Sequence, residues 1–195
     1  MSKKSLDLIF QTTPEWAHYI VNEHLDTFIA DHANCERKAS STAMSLIVKY
    51  PDRLAIIPPL IALAQEELAH FQQVYEIMAQ RQIHLIKDTQ DPYIKSLLKQ
   101  LRNERETRFM DRLLLSSIIE CRGAERFKLI SQALEDEYLK HFYRDLWASE
   151  AKHGHQFVEF ALVYFDSDTV YERLQTLMEY EAEVVQAMPW RASLH

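Results

Sequence analysis

The sequence predicts an all-α fold, a bundle of long helices within one domain spanning residues 1–195. Three observations carry this. Only two residues are glycine, Gly123 and Gly154, against about fourteen at average usage. Apolar side chains recur at three- and four-residue spacing over stretches far longer than a strand. Prolines and polar clusters punctuate those stretches at helix-length intervals. A turn-rich β architecture needs more glycine than this chain holds.

The elements follow in order. Thr13 with Pro14 reads as a cap and first helical position, and helical pattern runs on to Tyr50 with a break near Asn22. Pro51-Asp52 ends it. A second helix enters at Pro58-Pro59, where missing amide hydrogens cost little in a first turn, and continues to about Arg81. Gln82 to Pro92 is a long crossing connection. A short helix at Tyr93–Arg102 precedes long ones from Glu104 to Leu134 and from Glu137 to Phe165. The last runs from Thr169 to Ala187, ahead of the tail Met188 to His195.

Composition narrows function. With so little glycine, a Rossmann fingerprint, a Walker loop or a hydrolase elbow has no place to sit. A formal net charge of −7 argues against a generic nucleic-acid-coating protein, though not against a local basic patch. Two cysteines, Cys35 and Cys121, make no disulfide framework and suit a reducing compartment. The amino end, MSKKSLDLIFQTTPEW, lacks a leader's apolar stretch. The run Leu54 to Ala64, interrupted by Pro58 and Pro59, is too short to span a bilayer. The expected location is the cytoplasm.

An internal echo carries the chemistry. Glu67-Leu-Ala-His70 and Glu150-Ala-Lys-His153 lie 83 residues apart. Glu36 precedes the first by 31 residues and Glu120 the second by 30, each one helix earlier. Residues i and i+3 share a helix face, so each Glu-x-x-His sets a carboxylate beside an imidazole. Two helix pairs joined by a crossover, each carrying Glu and then Glu-x-x-His, are the layout of a bundle with one long connection. Oxygen and nitrogen donors without thiolate suit iron or manganese. Two divalent metals and four carboxylates also cancel in charge, which removes the cost of an uncompensated interior charge.

Glu15-Trp-Ala-His18 matches the same spacing but follows Thr13-Pro14 at a helix start and has no glutamate about thirty residues upstream. The helix dipole accounts for that glutamate. Glu120 is favoured over nearby Glu125 by the matching interval, and Glu125 is expected to make a structural ion pair or a contact behind the ligands. Glycine inside a helix costs up to about 1 kcal/mol against alanine, so Gly123 and Gly154 mark either close helix approach or room for dioxygen or substrate. Cys35 and Cys121, beside Glu36 and Glu120, point about 100° away from them and read as buried and inert.

These residues resemble the ferritin-like di-iron carboxylate superfamily. Within it, Cys35-Glu36-Arg37-Lys38-Ala39-Ser40, Glu66-Glu67-Leu68-Ala69-His70-Phe71, Ile119-Glu120-Cys121-Arg122-Gly123-Ala124-Glu125-Arg126-Phe127 and Ser149-Glu150-Ala151-Lys152-His153 resemble the bacterial tRNA hydroxylase family, as does the tail Pro189-Trp190-Arg191-Ala192-Ser193-Leu194-His195. The resemblance implies a ferritin-like four-helix bundle with one long crossover and additional helices. It implies a di-iron monooxygenase that uses O2 to hydroxylate the isopentenyl side chain of 2-methylthio-N6-isopentenyladenosine beside the tRNA anticodon. The two Fe ions would be held by Glu36, Glu67, His70, Glu120, Glu150 and His153, with no further catalytic side chain. Electrons would come from an external reductase, since the familiar built-in flavin and nicotinamide folds are excluded.

For tRNA, Lys95, Lys99, Arg102, Arg105, Arg108 and Arg112 share one stripe if their helix is continuous. The stripe is either a phosphate-contacting surface or a solvated face. Trp190, beside Arg191, either stacks on a base or anchors the last helix, and Arg37, Lys38 and Arg122 are the next cations to consider. Two competing readings are a ferritin- or rubrerythrin-like protein for peroxide detoxification or iron handling, and a bundle whose six residues form buried ion pairs. A monomer or small oligomer is expected.

Overall fold

A computed structural model describes residues 7–195; the first six residues, read above as part of a leaderless amino end, lie outside it. Every regular element among the described residues is helical. These are α1 (Pro14–Tyr19), α2 (Leu25–Lys49), α3 (Ile57–Gln80), α4 (Pro92–Leu97), α5 (Arg105–Ala133), α6 (Glu137–Leu162) and α7 (Ser167–Ala187). The expected break near Asn22 is a π-helical turn, Ile20–His24, joining α1 to α2. A single-turn insertion of that kind often marks a functional region of a helix.

Proline and aspartate set the helix starts. Pro58 and Pro59 lie in the first turn of α3, and Pro92 opens α4 behind Asp91, whose Oδ1 accepts from the Tyr93 amide at 2.8 Å. Asp136 caps α6 through the Leu139 amide at 3.0 Å, and Asp166 accepts from Asp168 N at 3.1 Å ahead of α7. Such caps each contribute about 1 kcal/mol. The end of α3 is less usual. Ile83 N donates to Met78 O at 2.8 Å and Gln82 N to Ala79 O at 3.3 Å, the two-bond closure that glycine normally completes. Here the left-handed position is Gln82, with φ 58°.

The chain divides into two compact units. The first comprises Tyr19–Thr89 and Arg191–Leu194, with α2 packed along α3. Its interior includes Phe28, Ile29, Leu46, Leu60, Val74 and Met78. Asn34 Nδ2 donates to Ile86 O at 3.1 Å, while Arg37 and Lys38 pair with Asp88 at 3.2 and 3.1 Å, fastening the crossing connection to α2. Leu194 N donates to Asp31 Oδ2 at 2.8 Å. The stretch Leu54–Gln80 is long and apolar enough to cross a membrane by length and composition. A single such helix is weak evidence, and here it buries Glu67 and His70 on the face that includes Leu60 and Leu63.

The second unit comprises residues 7–18, Gln90–Trp190 and His195. It is built on α5 and α6, with α7 against both and α4 against α7. Phe109, Leu113, Leu114, Phe127 and Ile130 are wholly buried along α5, each contributing about 1.5–3 kcal/mol of hydrophobic free energy. Close approach explains Gly154. A β-carbon there would lie 2.6 Å from Cys121 Sγ and 3.3 Å from Ser117 O, and Ser117 Oγ donates to Gly154 O at 2.7 Å.

Two boundaries differ from the sequence reading. The helix expected over Tyr93–Arg102 ends its α-helical part at Leu97, with a 3-10 turn to Gln100. The helix expected to reach Phe165 stops at Leu162, where aromatic residues packed on Phe109 replace helical continuation: Tyr164 and Phe165 lie 5.7 and 6.1 Å from its ring.

Candidate metal centre

Each unit gathers one glutamate from its first long helix with a Glu-x-x-His from its second. On α2 and α3, Glu36, Glu67 and His70 are buried and offer ligand atoms all within 4.8 Å of one another. On α5 and α6, half-buried Glu120 and buried Glu150 and His153 likewise offer ligand atoms within 4.8 Å of one another. His70 Nδ1 stands 3.4 Å from Glu67 Oε2 and 3.7 Å from Glu36 Oε2; His153 Nδ1 stands 3.4 Å from Glu150 Oε2. Donors bound at about 2.1 Å to one ion lie roughly 3–3.6 Å apart, which matches the 3.4 Å carboxylate–imidazole separation of each Glu-x-x-His. The donor set of carboxylate and imidazole suits iron.

Burial works against charge on Glu36, but the His32 charge and hydrogen bond, with hydrogen bonds from His70 and Glu67, outweigh it and hold the carboxyl well below its usual range. On His70 burial likewise opposes charge, yet hydrogen bonds and charges from Glu36 and Glu67 raise its pKa to about 9. Metal uptake at such a cluster displaces protons. His32 is the residue that sequence reasoning missed. It is wholly buried one turn before Glu36, its Nε2 2.5 Å from Glu36 Oε1. The signal was there in the four-residue spacing, but a histidine with no repeat partner gave no reason to single it out.

Glu125 takes no part in the cluster. It binds Arg122 Nη1 at 2.6 Å, Thr12 Oγ1 at 2.8 Å and the Thr12 amide. Arg122, wholly buried, also forks onto Glu181 through Nε at 2.8 Å and Nη2 at 3.0 Å, and donates to Phe10 O at 2.9 Å. Tyr93 donates to Glu181 at 3.0 Å. Arg122 therefore serves inside the fold. Arg126 sits over the Trp16 ring at 4.9 Å; burial first, then the Arg122 charge, lowers its pKa to about 10. Burial, with Glu120 adding to it, pushes the Cys121 thiol up to about 12, which leaves it unreactive. Glu15 and His18 are exposed on α1, as a helix start requires.

The basic stripe is not one helix. Lys95 lies on α4 and Lys99 on the following 3-10 turn, Arg102 lies between helices, and only Arg105, Arg108 and Arg112 belong to α5. Arg102 binds Asp111 through its amide, Nε and Nη2 at 2.9, 2.9 and 2.7 Å, and Arg108 donates to Arg102 O at 3.0 Å. Arg173 joins Asp111 at 2.8 Å. Lys95, Lys99, Arg105 and Trp190 are exposed.

Comparison with known proteins agrees with this geometry. The family model for tRNA-(ms2io6A)-hydroxylase (MiaE) matches residues 2–195. The chain belongs to that family. A Pseudomonas putida relative named tRNA 2-(methylsulfanyl)-N(6)-isopentenyladenosine(37) hydroxylase is 34% identical, over 87% of this chain and 82% of its own length. A Salmonella typhimurium protein of the same name is 28% identical, over 84% of this chain and 77% of its own. A solved Synechococcus protein described as having aldehyde deformylating oxygenase activity superposes with a TM-score of 0.90 at 29% identity, covering 96% of this chain and 94% of that one. The fold is accordingly the ferritin-like one expected of the family.

Proposed function

We propose that the chain is the cytoplasmic hydroxylase of the isopentenyl side chain of 2-methylthio-N6-isopentenyladenosine next to the anticodon in tRNA, using O2 at a di-iron centre. The observation that carries the reading is the pair of Glu/Glu/His clusters, one in each unit, in a chain of the tRNA hydroxylase family. Glu36, Glu67 and His70 would hold iron in one unit, and Glu120, Glu150 and His153 in the other. When bound, the irons supply the oxygen activation that hydroxylation of an unactivated carbon demands and no side chain provides. Four glutamates balance two divalent charges, and the burial of Glu36, Glu67 and Glu150 keeps water from competing for the ligand positions. An external reductase supplies the two further electrons. Lys95, Lys99 and Arg105 are the exposed cations best suited to tRNA phosphates, with Trp190 and Arg191 beside them in the proposal. The iron-handling alternative gains nothing from the family match.

Nucleoside analysis of tRNA from a strain lacking the protein tests the reading. The hydroxylated nucleoside should vanish and its isopentenyl precursor accumulate, and the chain restored on a plasmid should reverse both. An unchanged profile would refute it.

A further inference from the structure

The two clusters share their ligand types but not what stands behind the first glutamate. One turn before Glu36 on α2 is His32; one turn before Glu120 on α5 is Ser116. His32 has no solvent exposure, and its Nε2 lies 2.5 Å from Glu36 Oε1. The other oxygen, Oε2, is the one that faces His70 Nδ1, at 3.7 Å. A carboxylate whose oxygens are divided in this way has one committed to an imidazole and one left for an ion. Such outer partners set the rotamer of a ligand and tune the metal it binds.

We propose that His32 is a positioning residue that holds Glu36 by Oε1, so that Glu36 serves its iron through Oε2 alone and the two metal positions are inequivalent. The inference rests on the di-iron reading above. It needs no change of protonation: an Nε2–H donated to Oε1 accounts for the contact, and the packed helix pair holds the ring. Phe28, one turn earlier on α2, lies 6.3 Å from it ring to ring. Serine at the matching place on α5 carries no imidazole to present to a carboxylate oxygen one turn away, so support by a histidine of the same helix belongs to α2.

The test is anaerobic cobalt(II) titration of the metal-free full-length protein, followed by visible ligand-field absorption, on wild type, His32→Ala, His32→Gln and Ser116→Ala, with circular dichroism to confirm folding. Wild type should take up two ions with distinguishable bands. In His32→Ala one ion should bind about 10–100-fold more weakly and its band should move, while the other ion keeps its affinity and spectrum. His32→Gln, which still presents an N–H, should restore most of the affinity, and Ser116→Ala should match wild type. Unchanged affinities and bands in His32→Ala overturn the inference while leaving the di-iron reading intact. Complete and equal loss of one ion in both His32 variants also overturns it, since His32 would then be a ligand itself. Wild-type protein that binds no cobalt overturns both.

Discussion

The α2–α3 cluster and the α5–α6 cluster are alike in residue type and in spacing along the chain, yet they are supported differently. Glu36 leans on a buried histidine of its own helix. Glu120 sits on a helix whose opposite side anchors a buried charge network, Arg122 with Glu125, Glu181 and Tyr93. The connections differ as well: seven residues with a 3-10 turn join α2 to α3, and three residues capped by Asp136 join α5 to α6. Nearly equal intervals of 31 and 30 residues therefore come from unequal hairpins. Ligand spacing is the property held in common, and the scaffolding around it is free to diverge.

The largest expected effect treats the clusters as equals. Protein reconstituted anaerobically should carry about two irons per chain, and Glu67→Ala and His153→Ala should each lose metal and lower hydroxylation by more than about 100-fold, beyond the usual effect of an outer-shell change. Full iron in both variants would dissolve the comparison. Glu15→Ala with His18→Ala should be indistinguishable from wild type in the same metal analysis.

The next effect falls on the α5–α6 unit alone. Arg122→Met leaves Glu181 buried without its fork and should cost about 3–5 kcal/mol in denaturant unfolding, with much of the loss recovered by adding Glu181→Leu. Asp111 works in the same unit. Burial raises its pKa, but Arg102 and Arg173 outweigh burial and lower it. A depressed carboxyl stabilises above its unfolded pKa of about 3.9 and loses that contribution as pH falls through the folded value. Asp111→Asn should therefore lower stability at neutral pH and flatten its decline below about pH 4.

Gly154→Ala sharpens the contrast in packing. The new methyl meets Cys121 Sγ, and the cost should be about 1–3 kcal/mol in melting experiments, largely relieved in the Gly154→Ala, Cys121→Ala double variant. The smallest effect lies in the other unit. Gln82→Gly removes a side chain from a left-handed position and should stabilise by about 0.5–1 kcal/mol.

Much of this was legible in advance because helices write their period and their stops into the sequence. The doubled Glu and Glu-x-x-His pattern singled out all six residues of the two clusters, and it excluded Glu15 and His18. Glu120 was separated from Glu125 by interval alone, and the structure supplies the reason: Glu125 is consumed by Arg122 and Thr12. The basic stripe required a continuous helix, and spacing does not reveal that Asp111 takes the Arg102 amide and side chain together, holding the chain out of helix between Gln100 and Arg105. His32 was passed over for a related reason. A residue that acts through one neighbour leaves no repeat, and its meaning appears only when the distance to Glu36 is known.

The crossing connection has a consequence of a practical kind. Eleven residues, 81–91, run without regular structure and mostly exposed, which is the profile of a segment that proteases cut first. Yet Asn34 holds the Ile86 carbonyl, and Arg37 and Lys38 hold Asp88, so the segment has length without slack. The two ion pairs are at the surface and weaken with salt. Limited digestion within 81–91 should thus quicken as ionic strength rises, and the cut rate becomes a gauge of how firmly that segment is laced to α2.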